Sequence, residues 1–183
     1  MDLTNQFLIA MPSMADPNFD RTVVYVCEHS DRGAMGIVIN RPTELTLSRL
    51  FDKIDLRLEI APWRDEPVLY GGPVQTERGF VLHAPAGNYG STLNVAEDIG
   101  LTTSKDVLEA VAGGNGPERL LVTLGYAGWG AGQLEHELSR NGWLTVAADS
   151  KIIFETPVQS RFDAALRLLG VDPIHLTSQA GHA

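Results

Sequence analysis

The segment over residues 120–138 has the pattern of an apolar strand, a glycine-rich turn at 125–132 and a helix. A turn of this kind leaves backbone donors at a helix N-terminus, where anions bind. The glycines stand at positions 125, 128, 130 and 132, which matches neither GxGxxG nor a GK[ST] loop, and Trp129 occupies the place where a pyrophosphate would approach. The spacing therefore favours a structural turn and predicts no nucleotide cofactor.

Four side chains form the candidate recognition surface: Trp129, Gln133, Glu137 and Asn40. Gln133 and Glu137 are four residues apart and share a side of the predicted helix, whereas Glu135 points away from both. Trp129 is a large aromatic residue at a predicted loop position, where no periodicity enforces burial. It is either an anchor for a partner or a cover over the end of the sheet, and the sequence leaves both open.

Cys27 and His29 lie two residues apart in a β-branched segment, which predicts that they share one face of a strand. A thiol beside an imidazole is typical of a nucleophile with its base, or of half a metal site. However, the chain has one cysteine, its other histidines lack ligand spacing, and neither HExxH nor GxSxG occurs. We therefore expect Cys27 to be buried and metal-free, and we assign no catalytic residue and no metal site.

Charge and composition exclude several classes of function. The 183 residues include 14 Lys and Arg against 23 Asp and Glu, a formal net charge of −9. This charge repels a phosphate backbone, so direct DNA binding is not expected. No segment approaches the ~20 apolar residues of a membrane span, and the first residues lack the basic start of a secretory signal. With a lone thiol, these features predict a cytoplasmic protein without membrane contact.

Hydrophobic periodicity predicts one α+β domain over residues 1–183 with a largely antiparallel or mixed sheet. Single strands are expected at 68–70, 80–83, 93–95, 99–101 and 120–125. Two hairpins are expected, one from 23–29 with 35–40 and one from 144–147 with 152–154. Gly71 and Gly72 are expected to give a tight bend its backbone freedom.

The predicted helices are recognised by apolar stripes and by polar residues at their starts. They cover residues 47–54, 103–112, 130–140 and 160–169. Thr46 is the expected cap of the first helix, and Thr103 with Asp106 is the expected capping pair of the second. Ser160 is expected to open the last helix, and residues 175–183 are expected to form a tail.

Four sequence blocks follow one another along the chain: FLIAMPSMADPNFDRTVVYVCEHSDRGAMGIVINRP, YGGPV, GYAGWGAGQLEHEL with NGWL, and AGHA. Together they resemble the bacterial YqgE/AlgH family, over nearly all 183 residues. The resemblance implies an α+β fold whose hairpin-rich, bifurcated sheet curls into a flattened pseudo-barrel with helices outside. It implies no agreed reaction, cofactor or catalytic residue. Some members are described as regulators of transcription, including of exopolysaccharide genes.

These observations favour a cytosolic regulatory binding module without catalysis, which acts indirectly through a protein or small-molecule partner. No helix-turn-helix with a basic recognition helix is visible, since the predicted helix at 130–140 is acidic. The alternative is an enzyme or small-ligand binder that uses the turn at 125–132, with the four candidate residues as its site. A cleft that holds all four side chains would favour this alternative, and a flat surface would favour the binding module.

Overall fold

The computed structural model describes residues 1–12, 14 and 16–171. Within them the chain forms ten strands, six α-helices and short 3-10 helices at Pro17–Phe19 and Val158–Ser160. The strands are β1 (Gln6–Ala10), β2 (Val23–Ser30), β3 (Gly33–Val38), β4 (Pro42–Thr46), β5 (Pro67–Tyr70), β6 (Val74–Ala84), β7 (Thr92–Ala96), β8 (Ile99–Thr102), β9 (Arg119–Gly130) and β10 (Trp143–Ala147). The helices are α1 (Leu47–Lys53), α2 (Ala61–Arg64), α3 (Asp106–Ala112), α4 (Gln133–Ser139), α5 (Ser150–Phe154) and α6 (Arg161–Leu168). The predicted tail lies outside the described residues.

The strands form a mixed sheet in the order β10-β1-β2-β3-β9-β6-β8-β7, with β4 and β5 off this path. β5 runs parallel to β9, and the other described pairs are antiparallel. The sheet curls into a half-barrel, which confirms the predicted α+β class. The first predicted hairpin is also confirmed, because β2 and β3 pair from Val24 opposite Val38 to Ser30 opposite Gly33.

Both faces of the sheet are covered, as the alternation in β2 illustrates. Val23, Tyr25 and Cys27 belong to the largest apolar cluster, which α5 and α6 complete. Val24 and Val26 belong to a second cluster on the opposite face, which α4 completes. A third cluster lies between α1, α3 and the other face of β6 and β9. The near-continuous apolar runs of the central strands are therefore explained by burial on both sides.

β9 connects the two parts of the sheet, because it pairs with different strands along its length. Its first part pairs with β6 and, in parallel, with β5, whereas residues 127–130 pair with β3. At the change, the Gly71 carbonyl accepts a hydrogen bond from the Val38 N–H at 2.8 Å, and the Gly71 N–H donates to the Leu124 carbonyl at 2.8 Å. Gly71 thus links the two parts of the sheet where they separate.

Three glycines, Gly71, Gly72 and Gly125, form what we call the fork. A Cβ on Gly71 would lie 2.3 Å from the Gly125 carbonyl oxygen, and a Cβ on Gly72 would lie 2.1 Å from the Tyr126 carbonyl carbon. Both distances are far inside van der Waals contact. The glycines of the YGGPV block therefore allow two backbones to approach closely, in addition to the bend that the sequence predicts.

Two predictions about the second half of the chain are wrong. The turn predicted at 125–132 is mostly strand, because β9 continues to Gly130 and α4 begins at Gln133. The hairpin predicted from 144–147 and 152–154 does not form, since β10 pairs with β1 and residues 150–154 are α5. Asp149 caps α5 by accepting from the Lys151 N–H at 2.9 Å. A short apolar run is ambiguous between strand and helix, and here the cap decides.

The capping predictions have mixed outcomes. Thr46 caps α1, because its hydroxyl accepts from the Arg49 N–H at 3.3 Å. Asp106 makes no such pair with Thr103. Its carboxylate accepts from the Ser104 hydroxyl at 2.5 Å and from the Gly90 N–H at 2.6 Å, and these bonds lower its pKa. Asp106 therefore fastens the loop before β7 to the start of α3.

The last helix, α6, begins where predicted, directly after Ser160, but the Ser160 side chain makes no capping bond. The helix is held instead by Arg161, which is buried with 4% exposed. Its guanidinium donates to the Ile39 carbonyl at 2.6 Å and to the Thr156 carbonyl at 2.9 Å. Burial lowers the pKa of Arg161 to about 10, so the group stays charged at neutral pH.

We expect Gly71→Ala to reduce the free energy of unfolding by more than about 4 kcal/mol, the exceptional range for one substitution, because the added methyl group would overlap the Gly125 carbonyl. Gly79→Ala is the matched control, since Gly79 lies in β6 with nothing within 4 Å of an added Cβ. Urea unfolding followed by tryptophan fluorescence measures both variants. Equal unfolding midpoints would contradict the steric role of the fork.

Candidate functional site

Trp129 lies in β9, so its predicted loop position is wrong. The glycines on either side of it, Gly128 and Gly130, are strand residues that pair with β3. The Trp129 side chain is buried, with 5% exposed. Its indole stacks on Phe19 with ring centroids 5.9 Å apart and meets Trp143 edge-on at 6.0 Å. The aromatic ring is therefore mainly a part of the core.

One carboxylate, that of Glu137, holds both indoles. Its Oε1 accepts from Trp129 Nε1 at 3.0 Å and from Trp143 Nε1 at 2.9 Å. Its Oε2 accepts from Gln133 Nε2 at 3.0 Å, and Gln133 in turn accepts from the Gly130 N–H at 3.0 Å. We call Trp129, Trp143, Gln133 and Glu137 the indole clamp. The clamp fastens α4 to the sheet, and both carboxylate oxygens of Glu137 are occupied by hydrogen bonds within the fold.

Asn40 is not part of the indole clamp. Its side-chain oxygen accepts from the Val23 N–H at 2.9 Å, and its nitrogen donates to the Arg21 carbonyl at 2.9 Å. These bonds tie the chain after β3 to the start of β2. The structure therefore joins Trp129 to two of the other candidate recognition residues and gives Asn40 a separate structural role.

Cys27 and His29 do not share a face, contrary to the prediction. A β-bulge shifts the register of β2 against β3 between Val26 and Glu28, and the residues after it change sides. Cys27 lies in the largest apolar cluster, with 1% exposed, which confirms its predicted burial. Burial raises the pKa of its thiol. Cys27 is therefore protonated at neutral pH and unreactive as a nucleophile.

His29 lies on the side of the second apolar cluster, and both of its ring nitrogens are occupied. Nδ1 accepts from the Leu3 N–H at 2.9 Å, and Nε2 lies 2.7 Å from Glu135 Oε1. Since Nδ1 accepts a hydrogen bond, Nε2 carries the ring hydrogen and donates a hydrogen bond to Glu135. The imidazole thus anchors the N-terminal segment and α4, with no nitrogen left for a substrate or metal. Glu135 diverges from Glu137, as predicted.

His83 is a second buried histidine, which the sequence reasoning missed. Nδ1 lies 2.9 Å from the Pro85 carbonyl, and Nε2 lies 2.7 Å from the Thr102 hydroxyl. A carbonyl can only accept, so Nδ1 donates and Nε2 accepts from Thr102 when the ring is neutral. This arrangement resembles a nucleophile with its base, but Thr102 is 0% exposed. No local spacing predicts the pair, because β6 and β8 bring it together.

The described residues contain no group of three His, Cys, Asp or Glu that could hold a metal ion. In the same part of the chain, every helix is too short or too polar to cross a bilayer.

Two adjoining cavities open beside the indole clamp and share Met35 and Tyr126. The first has a volume of about 460 Å³ and is lined in part by Arg32 and Trp129. The second has a volume of about 510 Å³ and is lined in part by Arg78. We call the two together the Met35–Tyr126 groove. The two shared residues are brought together because β3 pairs with β9.

Known proteins similar to this chain include uncharacterised bacterial proteins and two solved structures. Residues 7–174 match a family model described as AlgH-like. UPF0301 proteins from Ralstonia nicotianae and Bordetella petrii are 66% and 64% identical, and all of this chain aligns with 96% and 90% of them. The solution structure of the AlgH protein from Pseudomonas aeruginosa is 53% identical, with a TM-score of 0.81 over 100% of this chain and 97% of that one. A crystal structure of a Corynebacterium diphtheriae protein shares the fold. It is 18% identical, with a TM-score of 0.74 over 97% of this chain and 91% of that one.

We expect Glu137→Ala to reduce the free energy of unfolding by about 2–4 kcal/mol, because two buried indole N–H groups lose their acceptor. Glu137→Gln keeps an acceptor oxygen and should lose less than half as much. Trp129→Ala should lose about 3–5 kcal/mol, as for other large-to-small core changes. Urea unfolding measures all three, with the exposed Glu155→Ala as control. Equal losses for Glu137→Ala and Glu137→Gln would show that the hydrogen bonds are not the cause.

Burial lowers the pKa of His83 from its ordinary value of 6.5, because the charged ring is poorly solvated between the strands. As the pH falls, the unfolded chain therefore binds a proton at this imidazole before the folded chain does. The contribution of neutral His83 to the free energy of unfolding is complete above pH 6.5 and declines as the pH falls toward the lowered pKa. NMR titration of the imidazole carbons should give a midpoint below 6.5 for His83. A His83 midpoint at or above 6.5 would contradict the effect of burial.

Proposed function

The chain belongs to the AlgH-like family, as its four sequence blocks predict, and on that premise we propose that it is a non-catalytic regulatory module that binds a segment of a protein partner in the Met35–Tyr126 groove. The observation that carries this proposal is the groove itself, in which two cavities meet at a partly exposed methionine and a partly exposed tyrosine. A cytoplasmic location is part of the proposal and rests on the lone thiol and the sequence of the first residues.

The residue types in the groove are those of a protein interface. Tyr, Met and Arg are enriched in the cores of such interfaces, and Met35, Tyr126, Arg32 and Arg78 supply all three. Met35 is unbranched and polarizable, so it can adapt to a partner's side chains. Both arginines are exposed and are available to acidic or carbonyl groups of a partner. An open groove made of two adjoining cavities suits an extended segment better than a small molecule, because small-molecule sites usually enclose their ligand.

The groups that could support catalysis are closed or occupied, which favours binding over chemistry. The Cys27 thiol is buried and protonated, and both nitrogens of His29 are hydrogen-bonded. The Thr102 hydroxyl beside His83 is fully buried. The alternative of an enzyme or small-ligand binder at 125–132 has lost its main support, because that segment is mostly strand and does not present a glycine turn to a ligand.

We also propose that the regulatory effect does not require direct contact with DNA. The formal charge of −9 opposes association with a phosphate backbone. In α4, the helix after β9, the Glu135 carboxylate is hydrogen-bonded to His29 and the Glu137 carboxylate belongs to the indole clamp. This helix is acidic, so it is not a basic recognition helix.

Photocrosslinking tests the proposed groove. Benzoylphenylalanine placed at position 32 or 78 should capture a partner, whereas the same residue at position 57, outside the groove, should not. Once that partner is purified, Arg32→Glu should weaken its binding by about tenfold or more, as for an interface arginine. Arg57→Glu is the charge-matched control, because the Arg57 side chain is 84% exposed. Capture at position 57 alone, or equal affinity of Arg32→Glu and wild type, would contradict the proposal.

A further inference from the structure

The chain contains two Asn–Gly pairs, Asn115–Gly116 and Asn141–Gly142, and each pair follows the end of a helix. An asparagine before a glycine is chemically labile, because the backbone nitrogen of the glycine can attack the side-chain amide and no Cβ hinders it. Both helices, α3 and α4, end in a Schellman motif, in which two backbone N–H groups bond to carbonyls of the last turn. The two Asn–Gly pairs occupy different positions in this motif.

In the motif after α4, the nitrogen of the glycine is held. Asn141 is the left-handed residue, with a φ of 59°, and its N–H donates to the Leu138 carbonyl at 3.0 Å. The Gly142 N–H donates to the Glu137 carbonyl at 3.0 Å, which is the second bond of the motif. Gly142 would have to give up this hydrogen bond, together with the proton in it, before its nitrogen could react. The Schellman motif therefore protects Asn141.

In the motif after α3, the Asn–Gly pair lies one residue further along. Gly114 is the left-handed residue, with a φ of 83°, and the Asn115 N–H donates the second bond, to the Ala110 carbonyl at 2.8 Å. Gly116 follows the motif, and among the described residues no acceptor is hydrogen-bonded to its N–H. Asn115 is exposed to solvent. The motif therefore leaves this glycine nitrogen unprotected, next to an asparagine side chain that water reaches.

The fold also requires the glycine at position 116. A Cβ on Gly116 would lie 2.5 Å from Val111 Cγ2 and 2.8 Å from the Val111 Cα, and both distances are far inside van der Waals contact. Val111 is itself buried in the third apolar cluster, so it has little room to move. A larger residue after Asn115 would slow the attack on the amide, but the packing of α3 excludes it.

We propose that Asn115 is a site of spontaneous deamidation and that Asn141 is not. Hydroxide removes the Gly116 N–H proton, the nitrogen bonds to Asn115 Cγ, and the Cγ–Nδ2 bond breaks, so that ammonia leaves with a proton taken from water. Water then opens the cyclic imide at either carbonyl and gives aspartate or isoaspartate. The conversion needs no enzyme, so its extent increases with the age of the chain. The site is independent of the proposed partner groove.

The product changes the end of α3. A carboxylate at position 115 lies beside the carbonyl end of the helix, where negative charge is unfavourable. In isoaspartate, the main chain also gains one carbon atom between the N–H that bonds to Ala110 and the Cα that packs against Val111. Both changes weaken the attachment of α3 to the third apolar cluster.

Incubation of the folded chain in ¹⁸O-labelled water at mildly alkaline pH tests this assignment. Digestion in ordinary water and tandem mass spectrometry then identify the labelled product, which formed during the incubation. We expect this product to form at least about tenfold faster at position 115 than at position 141. In urea, where both Schellman motifs are lost, the two rates should become similar. Equal rates in the folded chain, no reaction at position 115, or an unchanged ratio of rates in urea would overturn the proposal.

A double variant, Gly114→Asn with Asn115→Gly, gives α3 the arrangement found after α4. It keeps the composition and the formal charge, nothing lies within 4 Å of a Cβ added at position 114, and asparagine tolerates a left-handed backbone. The N–H at position 115, now that of a glycine, should keep the bond to the Ala110 carbonyl. We expect the asparagine moved to position 114 to convert at least about tenfold more slowly than Asn115 does in the wild type. Equal rates, in a double variant with the wild-type urea midpoint, would show that the Schellman bond gives no protection.

Discussion

The close crossing of two backbones at Gly71, Gly72 and Gly125 is the constraint on which the rest of the structure depends. At this fork β9 exchanges β5 for β3 as its neighbour, and its pairing with β6 ends at Tyr126. The hydrogen bonds of Gly71 to both parts of the sheet leave few backbone groups without a partner where the strands diverge. The curl of the sheet, and the separation of its faces into three apolar clusters, follow from this junction.

Local alternation and capping were sufficient to predict β2, β3 and α1, because each is defined by residues close together in sequence. The β-bulge in β2 was not predictable in this way, since it becomes visible only against the register of β3, and it moves His29 to the other face. The local spacing of the glycines in β9 predicts a turn. Pairing with β3 overrides that tendency, which is a tertiary effect that local propensity does not contain.

The candidate site was predictable in part. Helical spacing correctly placed Gln133 and Glu137 on one side, but no periodicity indicated that they would point inward to two indoles. Met35 and Tyr126 are far apart in sequence, and only the pairing of β3 with β9 makes them one groove. The same holds for His83 and Thr102, which meet across β6 and β8. Residues that come together only through strand pairing have no spacing in the sequence from which their contact could be predicted.

The position of β9 and β10 late in the chain has a consequence for biosynthesis. β3, β5 and β6 emerge from the ribosome long before residues 119–130, the strand that joins them, and β1 must await β10 at residues 143–147. Pairings of such long sequence separation make folding slow and leave strand edges open to other chains in the meantime. The nascent chain therefore reaches its native topology only after residues 143–147 have emerged, and the edge of β1 that β10 covers stays open until then.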